Sequence, residues 1–513
     1  MIRYFTRSVQ LCLFQTLLLI LSSGLPGFTQ PPDDPIDPIA YAAMIGTGFD
    51  VGWAQFPGVM NNYTEQVVID YASEGFTNAR IRTHFDLSPE LLVHLDSVVT
   101  HCLRHGVLPI VAYESEEAEE DPTRTNLEKV VKWWGDFAFY FRNHSHKLAF
   151  NLFIEVTHTL GDLPPDTLNL WYQHIIPAIR ESNPDRILIL PPRGAYPEGL
   201  GSLVVPPETG YYYMAEWHDY AGGPTKLLSP DKLHKRWTTG TEIERDQIGI
   251  SIETALEWTV QTGKPTWMGA WMAGKLNEPD YYTPEEECIF ATHMVKEFAR
   301  YQMPWSTNAH QHFYDVSTLE WLPGRQLLLE ALKGKYLEEA NRMFLYTGLD
   351  YNGRMKPVEI GFYDYDFLER YDLADQIRSA KIPWGFVLET FSDPGFTGNK
   401  QVITGDQSNL DGIPIASFKF RDIAFTDYVL GTGNPSNVTQ GYAYPNPFCG
   451  QFRLMLEPGE EVSVRIYDLR GRCLFMTSGL NGTDVLAPGL EEGMYLLKVT
   501  SPTEEWTQSI ICT

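Results

Sequence analysis

Polar side chains that could do chemistry stand at the ends of short apolar runs in the first two thirds of the chain. Glu155 closes the run LAFNLFIE, and the run YYYMAEW is followed at once by His218 and Tyr220. The other members of this set are Arg80, Glu114, Glu216, Trp271 and Asn308. Two carboxyl groups on opposite sides of a bond can cleave a glycoside, one as the acid and the other as base or nucleophile. Glu155 is therefore the first candidate for a catalytic acid/base.

The apolar runs alternate with longer segments of helical periodicity, which is typical of parallel βα units. We predict eight strands, at Met44–Phe49, Asn78–Arg82, Leu108–Tyr113, Ala149–Glu155, Ile187–Pro191, Tyr211–Trp217, Thr266–Trp271 and Met303–Asn308. Eight such strands within roughly 300 residues favour a closed (β/α)8 barrel of the TIM type over an open sheet. Such a barrel carries its chemistry at the C-terminal ends of its strands, where the polar set above is placed.

Composition and charge indicate a folded, exported protein of several domains. A chain of 513 residues is too long for one ordinary core. Its formal net charge of -27 argues against nucleic acid as a partner, whereas a neutral polysaccharide or oligosaccharide is compatible with it. Residues 1–29 combine a basic start, the apolar run Leu11–Leu21 and a small-residue exit, which predicts a secretory signal peptide. We expect no transmembrane segment in the mature chain, since no later run reaches about 18 apolar residues.

Cysteine and histidine spacings give no sign of a bound metal. Five cysteines remain after the signal peptide, and they form neither a CxxC pair nor a disulfide framework, although one C-terminal bridge is an open alternative. We expect no metal and no cofactor. The acidic run from Glu114 to Asp121 is predicted to be a solvated loop, with calcium binding as the lesser alternative.

Changes in composition predict six segments along the chain. They are a signal peptide at 1–29, an extended Pro/Asp linker at 30–39, the barrel at 40–335, a small β domain at 341–424, a polar linker at 425–440 and a β-sandwich at 441–513.

Four motifs in the barrel region resemble glycoside hydrolase family 5, the cellulase-like retaining β-glycanases. GFTNARIR resembles the family strand GFxxVRIP, LAFNLFIEV resembles the strand that ends in Asn-Glu-Pro, and EWHDY resembles the sixth-strand His-x-Tyr. The segment from Trp171 to Leu190 resembles the family's helix and fifth strand. The resemblance implies action on O-glycosyl bonds of a β-linked polysaccharide, with Glu155 as the acid/base and Arg80, His218 and Tyr220 at the substrate.

The chain departs from the family pattern at four positions near the site. The family's seventh strand ends Gly-Glu-Phe with the glutamate as nucleophile, whereas this chain has Gly269-Ala270-Trp271. Ile154 replaces an asparagine, Glu114 replaces a histidine, and Asn308 aligns with a tryptophan. A methyl group cannot attack an anomeric carbon, so we expect impaired or altered hydrolysis. The alternative is a non-catalytic polysaccharide-binding protein.

Several of these residues have a second interpretation. Glu155 could be a structural partner of Arg80, and Glu114 and Glu216 are expected to bind sugar hydroxyls or neighbouring arginines rather than to replace the nucleophile. For His218, a role in the site and a role as a hydrogen-bonded core histidine are equally favoured. The tryptophans Trp53, Trp217 and Trp271 could stack on sugars or simply pack. Asn277-Glu278-Pro279 repeats the family tripeptide, but it follows no apolar strand and is not expected to be catalytic.

Two further resemblances concern the C-terminal third. Arg342–Phe420 resembles a βγ-crystallin-like Greek-key module, in which Asp375 is the one ligand carboxylate retained, so a structural or sugar-facing role is favoured over calcium binding. AYPNPF, VRIYDLRGRCL and LEEGMYLLKVTS resemble the C-terminal sorting domain of type IX secretion substrates. That resemblance implies type IX secretion machinery as a partner and a secreted or cell-surface location.

Overall fold

The computed structural model describes residues 33–84, 86–220, 237, 239–272 and 282–426, and the C-terminal stretches 442–444, 452–455, 462–467, 472–480, 485–490, 493–500 and 505–512. The predicted signal peptide and the tripeptide Asn277-Glu278-Pro279 lie outside these residues, as does most of the linker predicted at 425–440. The chain forms two compact units, residues 1–219, 251–271 and 302–322 in the first and residues 220–250, 272–301 and 323–513 in the second.

Eight parallel strands close into a barrel in the order β1 to β8, which confirms the predicted architecture. The strands are β1 Thr47–Val51, β2 Asn78–Thr83, β3 Leu108–Tyr113, β4 Ala149–Asn151, β5 Leu188–Leu190, β6 Tyr213–Tyr220, β7 Thr266–Met272 and β8 Trp305–Thr307. β1 pairs with β2 on one side and with β8 on the other, so that no edge is left open. The fourth strand is shorter than predicted, because it ends at Asn151 and Glu155 lies in the loop beyond it.

Helices separate the strands. They are α1 Pro38–Ile45, α2 Pro57–Asn62, α3 Glu65–Ser73, α4 Pro89–Arg104, α5 Glu116–Glu120, α6 Arg124–Phe141, α7 His158–Asp162, α8 Pro165–Arg180, α9 Glu242–Thr262, α10 Pro284–Tyr301 and α11 Gln326–Leu332. α4 shows why they form: Ser88 caps its first turn, and Leu91, Leu95 and Val98 are buried along one face at helical spacing. Within the described residues, no helix combines the length and the apolar character needed to cross a bilayer.

The start of the barrel differs from the predicted linker. Pro38 begins α1, and the side chain of Asp37 caps the helix by accepting a hydrogen bond from the Ile39 N–H at 2.9 Å. Tyr41 and Ile45 of this helix are buried in one cluster with residues at the N-terminal ends of the strands, namely Leu108, Ile110, Ala149, Ile187 and Ile189. The helix therefore belongs to the barrel core.

The second unit contains small antiparallel sheets. Between residues 343 and 422 its elements are β11 Met343–Tyr346, β12 Met355–Val358, β13 Gly361–Tyr363, α12 Tyr365–Arg370, β14 Ser379–Lys381, β15 Phe386–Asp393, β16 Thr397–Ile403 and β17 Ser417–Asp422, after the short hairpin β9 Tyr314–Asp315 and β10 Glu320–Trp321 of the first unit. They form the sheets β12-β11-β14 and β13-β17-β15-β16.

The C-terminal residues form two more sheets. Their strands are β18 Tyr442–Tyr444, β19 Phe452–Met455, β20 Val462–Tyr467, β21 Cys473–Leu480, β22 Val485–Leu486, β23 Gly493–Thr500 and β24 Glu505–Cys512, in the orders β18-β19-β22 and β21-β20-β23-β24. Val464, Ile466, Leu497 and Val499 alternate with more exposed residues and are fully buried, as expected for strands that cover a core on one face.

A buried arginine ties β5 to the segment that leads into β4. Arg186 is 1% exposed, and its guanidinium donates to four backbone carbonyls, those of Phe141, His144, Ser145 and Leu148, at 2.7 to 3.2 Å. Burial lowers the pKa of Arg186 to about 10, yet the group stays charged at neutral pH. These bonds fix the start of β4 and hence the strand that leads to Glu155.

We expect Arg186→Met to destabilise the first unit strongly. Four carbonyls would lose this donor, and those of His144 and Leu148 are the most affected, because the carbonyls of Phe141 and Ser145 keep a backbone N–H donor. Each buried acceptor left without a donor costs about 1–3 kcal/mol. Urea unfolding, monitored by tryptophan fluorescence, should show that the free energy of unfolding falls by at least about 3 kcal/mol. The matched control is Arg193→Met, because Arg193 is exposed and donates to a single carbonyl, that of Leu163. Equal effects of the two substitutions would contradict this role.

Candidate active site

A continuous network of charged side chains lies at the C-terminal ends of the barrel strands. β1 contributes Asp50, β2 contributes Arg80 and Arg82, and the residue after β3 is Glu114. Glu155 comes from the loop after β4, while Glu216 and His218 come from β6. The predicted candidates Arg80, Glu114, Glu155, Glu216 and His218 therefore do come together. Parallel strands produce this meeting, because their C-terminal ends share one face of the barrel.

Arg80 stands at the centre of the network and is fully buried. Its Nη2 donates to Asp50 Oδ2 at 2.8 Å, and its Nη1 donates to Glu216 Oε1. A guanidinium buried without carboxylate partners would cost several kcal/mol in lost hydration. Arg80 thus requires both acids, and the alternative pairing of Arg80 with Glu155 is not the one found.

Glu216 is held by three donors and has no contact with solvent. Its oxygens accept from Arg80, from Nδ2 of Asn151 and from Nε2 of His218, the last at 2.6 Å. The side chain is 0% exposed. This carboxylate serves as a buried counter-ion of Arg80, in agreement with the expectation that it binds a neighbouring arginine.

His218 links the buried carboxylate to an exposed one. Its Nε2 faces Glu216, and its Nδ1 lies 3.0 Å from Oε1 of Glu155. Protonation of both ring nitrogens would satisfy the two carboxylates, while Nη1 of Arg80, a donor 3.1 Å from Nε2, competes for that nitrogen. Burial would lower the pKa of His218, but the charge of Glu216 and the hydrogen bonds to Glu155 and Glu216 raise it above its ordinary value.

Glu155 is the carboxylate that reaches solvent, since 37% of its side chain is exposed. Burial of its inner part would raise the pKa of Glu155, but the hydrogen bond and charge of His218, with Arg80 and Arg82 behind, lower it to about 2. Backbone bonds hold the pair together, because the Gly194 N–H donates to the Val156 carbonyl and the His218 N–H to the Ala195 carbonyl. Glu155 is therefore ionised throughout the neutral range.

A second ion pair lies beside this one, at the ends of β2 and β3. Arg82 bridges Asp50 and Glu114 through Nη1 and Nη2, at 3.2 and 2.7 Å. Gln55 donates to the other oxygen of Glu114 at 3.0 Å. Glu114 therefore also binds an arginine, while 28% of its side chain stays exposed for contact with a ligand.

Comparison with models of known protein families identifies the family of the barrel. A family model described as cellulase, glycosyl hydrolase family 5, matches residues 44–311, which is more than half of the 513-residue chain. The chain belongs to glycosyl hydrolase family 5. Endoglucanase H of Acetivibrio thermocellus is 24% identical over 262 residues, a match that covers 47% of this chain and 27% of that protein. The chain thus spans only about a quarter of the length of this relative.

Solved structures resemble the family 5 barrel of this chain. A broad-specificity endoglucanase from Clostridum cellulovorans has a TM-score of 0.50 at 16% identity. The match covers 60% of this chain and 99% of that one. An endoglucanase from Thermotoga maritima has a TM-score of 0.49 at 18% identity and covers 58% of this chain and 100% of that one. At these identities the likeness concerns the fold alone.

The C-terminal segment has its own family. A model described as a secretion system C-terminal sorting domain matches residues 442–513, which confirms the sorting domain predicted there. The protein is therefore secreted or held at the cell surface.

The aromatic candidates of this family 5 barrel are packing residues. Trp271 is 1% exposed and meets Trp305 edge to face, with ring centroids 5.3 Å apart. The structure gives the Trp271 ring little exposed face for stacking on a sugar, and its role in substrate binding stays a prediction. Trp53 and Trp217 are equally buried. Asn308 follows β8 and donates its N–H to the Trp271 carbonyl at 2.9 Å, and Tyr220 is the half-buried last residue of β6.

Three buried polar residues of the site were missed in the sequence. Asp50 lies in β1, one residue beyond Phe49, where that strand was predicted to end. Asn151 lies in the middle of the predicted fourth strand, and Glu119 belongs to the acidic run that was expected to be solvated. A polar residue inside an otherwise apolar strand was the signal that could have identified Asp50 and Asn151 as members of the site.

Gly269 on β7 lets the buried carboxylate fit. A Cβ atom at this position would lie 2.1 Å from Oε1 of Glu216 and 2.6 Å from its carboxyl carbon. The next residue, Ala270, is fully buried and presents only a methyl group. The glycine of the motif Gly269-Ala270-Trp271 therefore has a packing role that depends on Glu216.

We expect Gly269→Ala to push Glu216 away from Arg80 and to destabilise the barrel. Weakening one partner of a buried ion pair costs about 3–5 kcal/mol. Thermal unfolding should show a large drop in midpoint, whereas Gly249→Ala in α9 should be neutral or stabilising, because its Cβ meets open space. An unchanged midpoint for Gly269→Ala would mean that Glu216 moves without loss.

Proposed function

We propose that this protein binds a β-linked polysaccharide at the strand ends of its family 5 barrel and does not hydrolyse it by the retaining route. The observation that carries the proposal is Ala270, which stands where the family resemblance places the nucleophile. Retaining hydrolysis needs a carboxylate there, about 5–5.5 Å from the acid/base.

Neither neighbouring acid is suited to replace the nucleophile. Glu216 is enclosed by Arg80, Asn151 and His218 and has no exposed surface. Attack on an anomeric carbon requires an oxygen that the sugar can reach, which Glu216 does not offer. Glu114 is partly exposed, but one oxygen accepts from Arg82 and the other from Gln55.

Glu155 is better suited to binding than to proton donation. A general acid works best when its pKa lies near the working pH, whereas the pKa of Glu155 is lowered to about 2. An exposed, ionised carboxylate is a strong acceptor for sugar hydroxyls, and hydrogen bonds to charged groups contribute about 1.5–3 kcal/mol. The net charge of -27 favours a neutral glycan over an acidic one.

A second candidate function is an altered hydrolysis in which Glu155 acts as a base toward water. The ionised, partly exposed carboxylate favours this reading. It would need a separate acid about 6.5–9.5 Å away with access to the glycosidic oxygen.

The small β domain at 341–424 is proposed to have a structural accessory role, and its resemblance to βγ-crystallins belongs to the same proposal. Two bidentate ion pairs join it to helical segments of its own unit: Arg421 binds Glu285 of α10, and Arg370 binds Asp246 of α9. Glu285 is largely buried, so the first pair supports a fixed attachment to α10. Asp375 was the residue considered for calcium. Among the residues that the structure describes, no group of three or more His, Cys, Asp or Glu side chains is placed to hold a metal ion.

Glycan binding without turnover is the expected result for the purified protein. Affinity electrophoresis on β-glucan, mannan and xylan gels should show retardation, with no reducing ends released on prolonged incubation. Glu155→Gln should weaken binding about tenfold or more, because a charged acceptor is lost. Glu257→Gln, an exposed substitution on α9, serves as the matched control. Reducing-end release that Glu155→Gln abolishes would overturn the binding reading in favour of the hydrolase.

Moving the carboxylate from β6 to β7 should create the missing nucleophile. The variant Ala270→Glu with Glu216→Gln keeps the number of carboxylates and places one at the position that the family resemblance gives to the nucleophile. We expect reducing-end release above the wild-type level, measured on the glycan that the wild type binds. The control is Ala270→Gln with Glu216→Gln, which has the same volume but no nucleophile. Identical rates for the two variants would argue against Ala270 as the cause of inactivity.

A further inference from the structure

The acidic run after β3 has one member that differs from its neighbours. In α5, Glu116, Glu117 and Glu120 are exposed, whereas Glu119 is only 3% exposed. The expectation of a solvated loop is therefore wrong at this residue. A carboxyl group seldom becomes buried unless specific partners receive it.

The partners of Glu119 come from the loop that carries Glu155. Its Oε2 accepts a hydrogen bond from the Thr157 N–H at 3.1 Å, two residues after Glu155. Its Oε1 lies 3.4 Å from the Ser115 hydroxyl, next to Glu114. A single side chain thus connects the loop after β3 with the loop after β4.

The surroundings of Glu119 favour its neutral form. The charged or titratable groups that act on it are Glu114 at the end of β3, Glu155 beyond β4 and Tyr172 on α8, and none of these is a cation. His158 at the start of α7 is exposed. Burial first, and then the charges of Glu155 and Glu114, raise the pKa of Glu119 to about 8.

We propose that Glu119 is a positioning residue for Glu155: its carboxyl group holds the backbone N–H of Thr157 and so keeps Glu155 against His218. The proposal rests on the proposed function in that the positioned carboxylate is the one that binds glycan. Glu119 itself does not touch the ligand, since its side chain is buried behind the loop.

The pH dependence has a defined sign. The carboxyl group of Glu119 has a pKa near 8 in the folded chain against the ordinary 4.5, so the folded state binds the extra proton between these values. Stability contributed by this proton is fully present below pH 4.5 and is lost as the pH rises through about 8. The ionised form would place a second negative charge beside Glu155 and its loop, and glycan affinity should fall over the same range.

The test compares Glu119→Gln, Glu119→Ala and the exposed control Glu120→Gln in the full-length protein. Thermal midpoints and glycan affinity by gel retardation are measured from pH 5 to pH 9.5. Wild type and Glu120→Gln should lose midpoint from pH 5 to about pH 8 and lose affinity above pH 7, while Glu119→Gln should keep wild-type affinity at pH 6 and stay nearly flat to pH 9. Glu119→Ala should bind at least about tenfold more weakly at pH 6. A Glu119→Gln profile that follows the wild type, or wild-type affinity for Glu119→Ala, overturns the proposal.

A double-mutant cycle separates this inference from the proposed function. The midpoints of Glu119→Ala, Glu155→Gln and the double variant are compared at pH 6, where no glycan is required. If Glu119 positions Glu155, the two effects are strongly non-additive. Additive effects overturn the positioning role even if glycan binds. Non-additive effects with no binding to any glycan uphold the positioning role and reject the binding function.

Discussion

The buried guanidinium of Arg80 is the constraint on which the rest of the site depends. A cation enclosed by the barrel must be neutralised locally, and here Asp50 and Glu216 do so from the strands on either side of the barrel interior. Glu216 in turn needs Gly269, because a Cβ atom there would occupy the place of its carboxylate. Three strands are therefore coupled through one cation, and none of these residues can change alone.

Under the proposed function, this constraint explains how a family 5 barrel folds with Ala270 at the position that the resemblance gives to the nucleophile. A carboxylate near Arg80 is required for charge balance, whichever strand supplies it. In this chain β6 supplies it through Glu216, and the neighbouring β7 carries the methyl group of Ala270. Under the proposed function, Glu216 keeps the electrostatic part of the site but has no exposed surface. The proposed binding function follows from this separation of charge balance and chemistry.

The barrel could be predicted from the sequence because its strands are apolar runs at regular intervals, and an apolar run is a local signal. The grouping of the polar candidates could also be predicted. Arg80, Glu155 and His218 lie near the C-terminal ends of the strands, where a barrel of this type carries its chemistry. What the sequence could not show was which groups face each other. Glu119 is one glutamate among several in EEAEED, and only the position of the Thr157 N–H distinguishes it. The burial of Trp271 could not be predicted for the same reason, because the ring packs against Trp305, which lies 34 residues away in the chain.

Two carboxyl groups near the strand ends have pKa values displaced in opposite directions, that of Glu155 to about 2 and that of Glu119 to about 8. Such a divergence usually assigns a base and an acid to a catalytic pair. Here the neutral acid is buried and the ionised group is exposed, so the proton is on the residue that cannot deliver it to a ligand. His218 and Glu119 instead fix the direction of one carboxylate from two sides. Under the proposed function, the displaced pKa values describe how Glu155 is oriented for binding, and they give no support to proton transfer at this site.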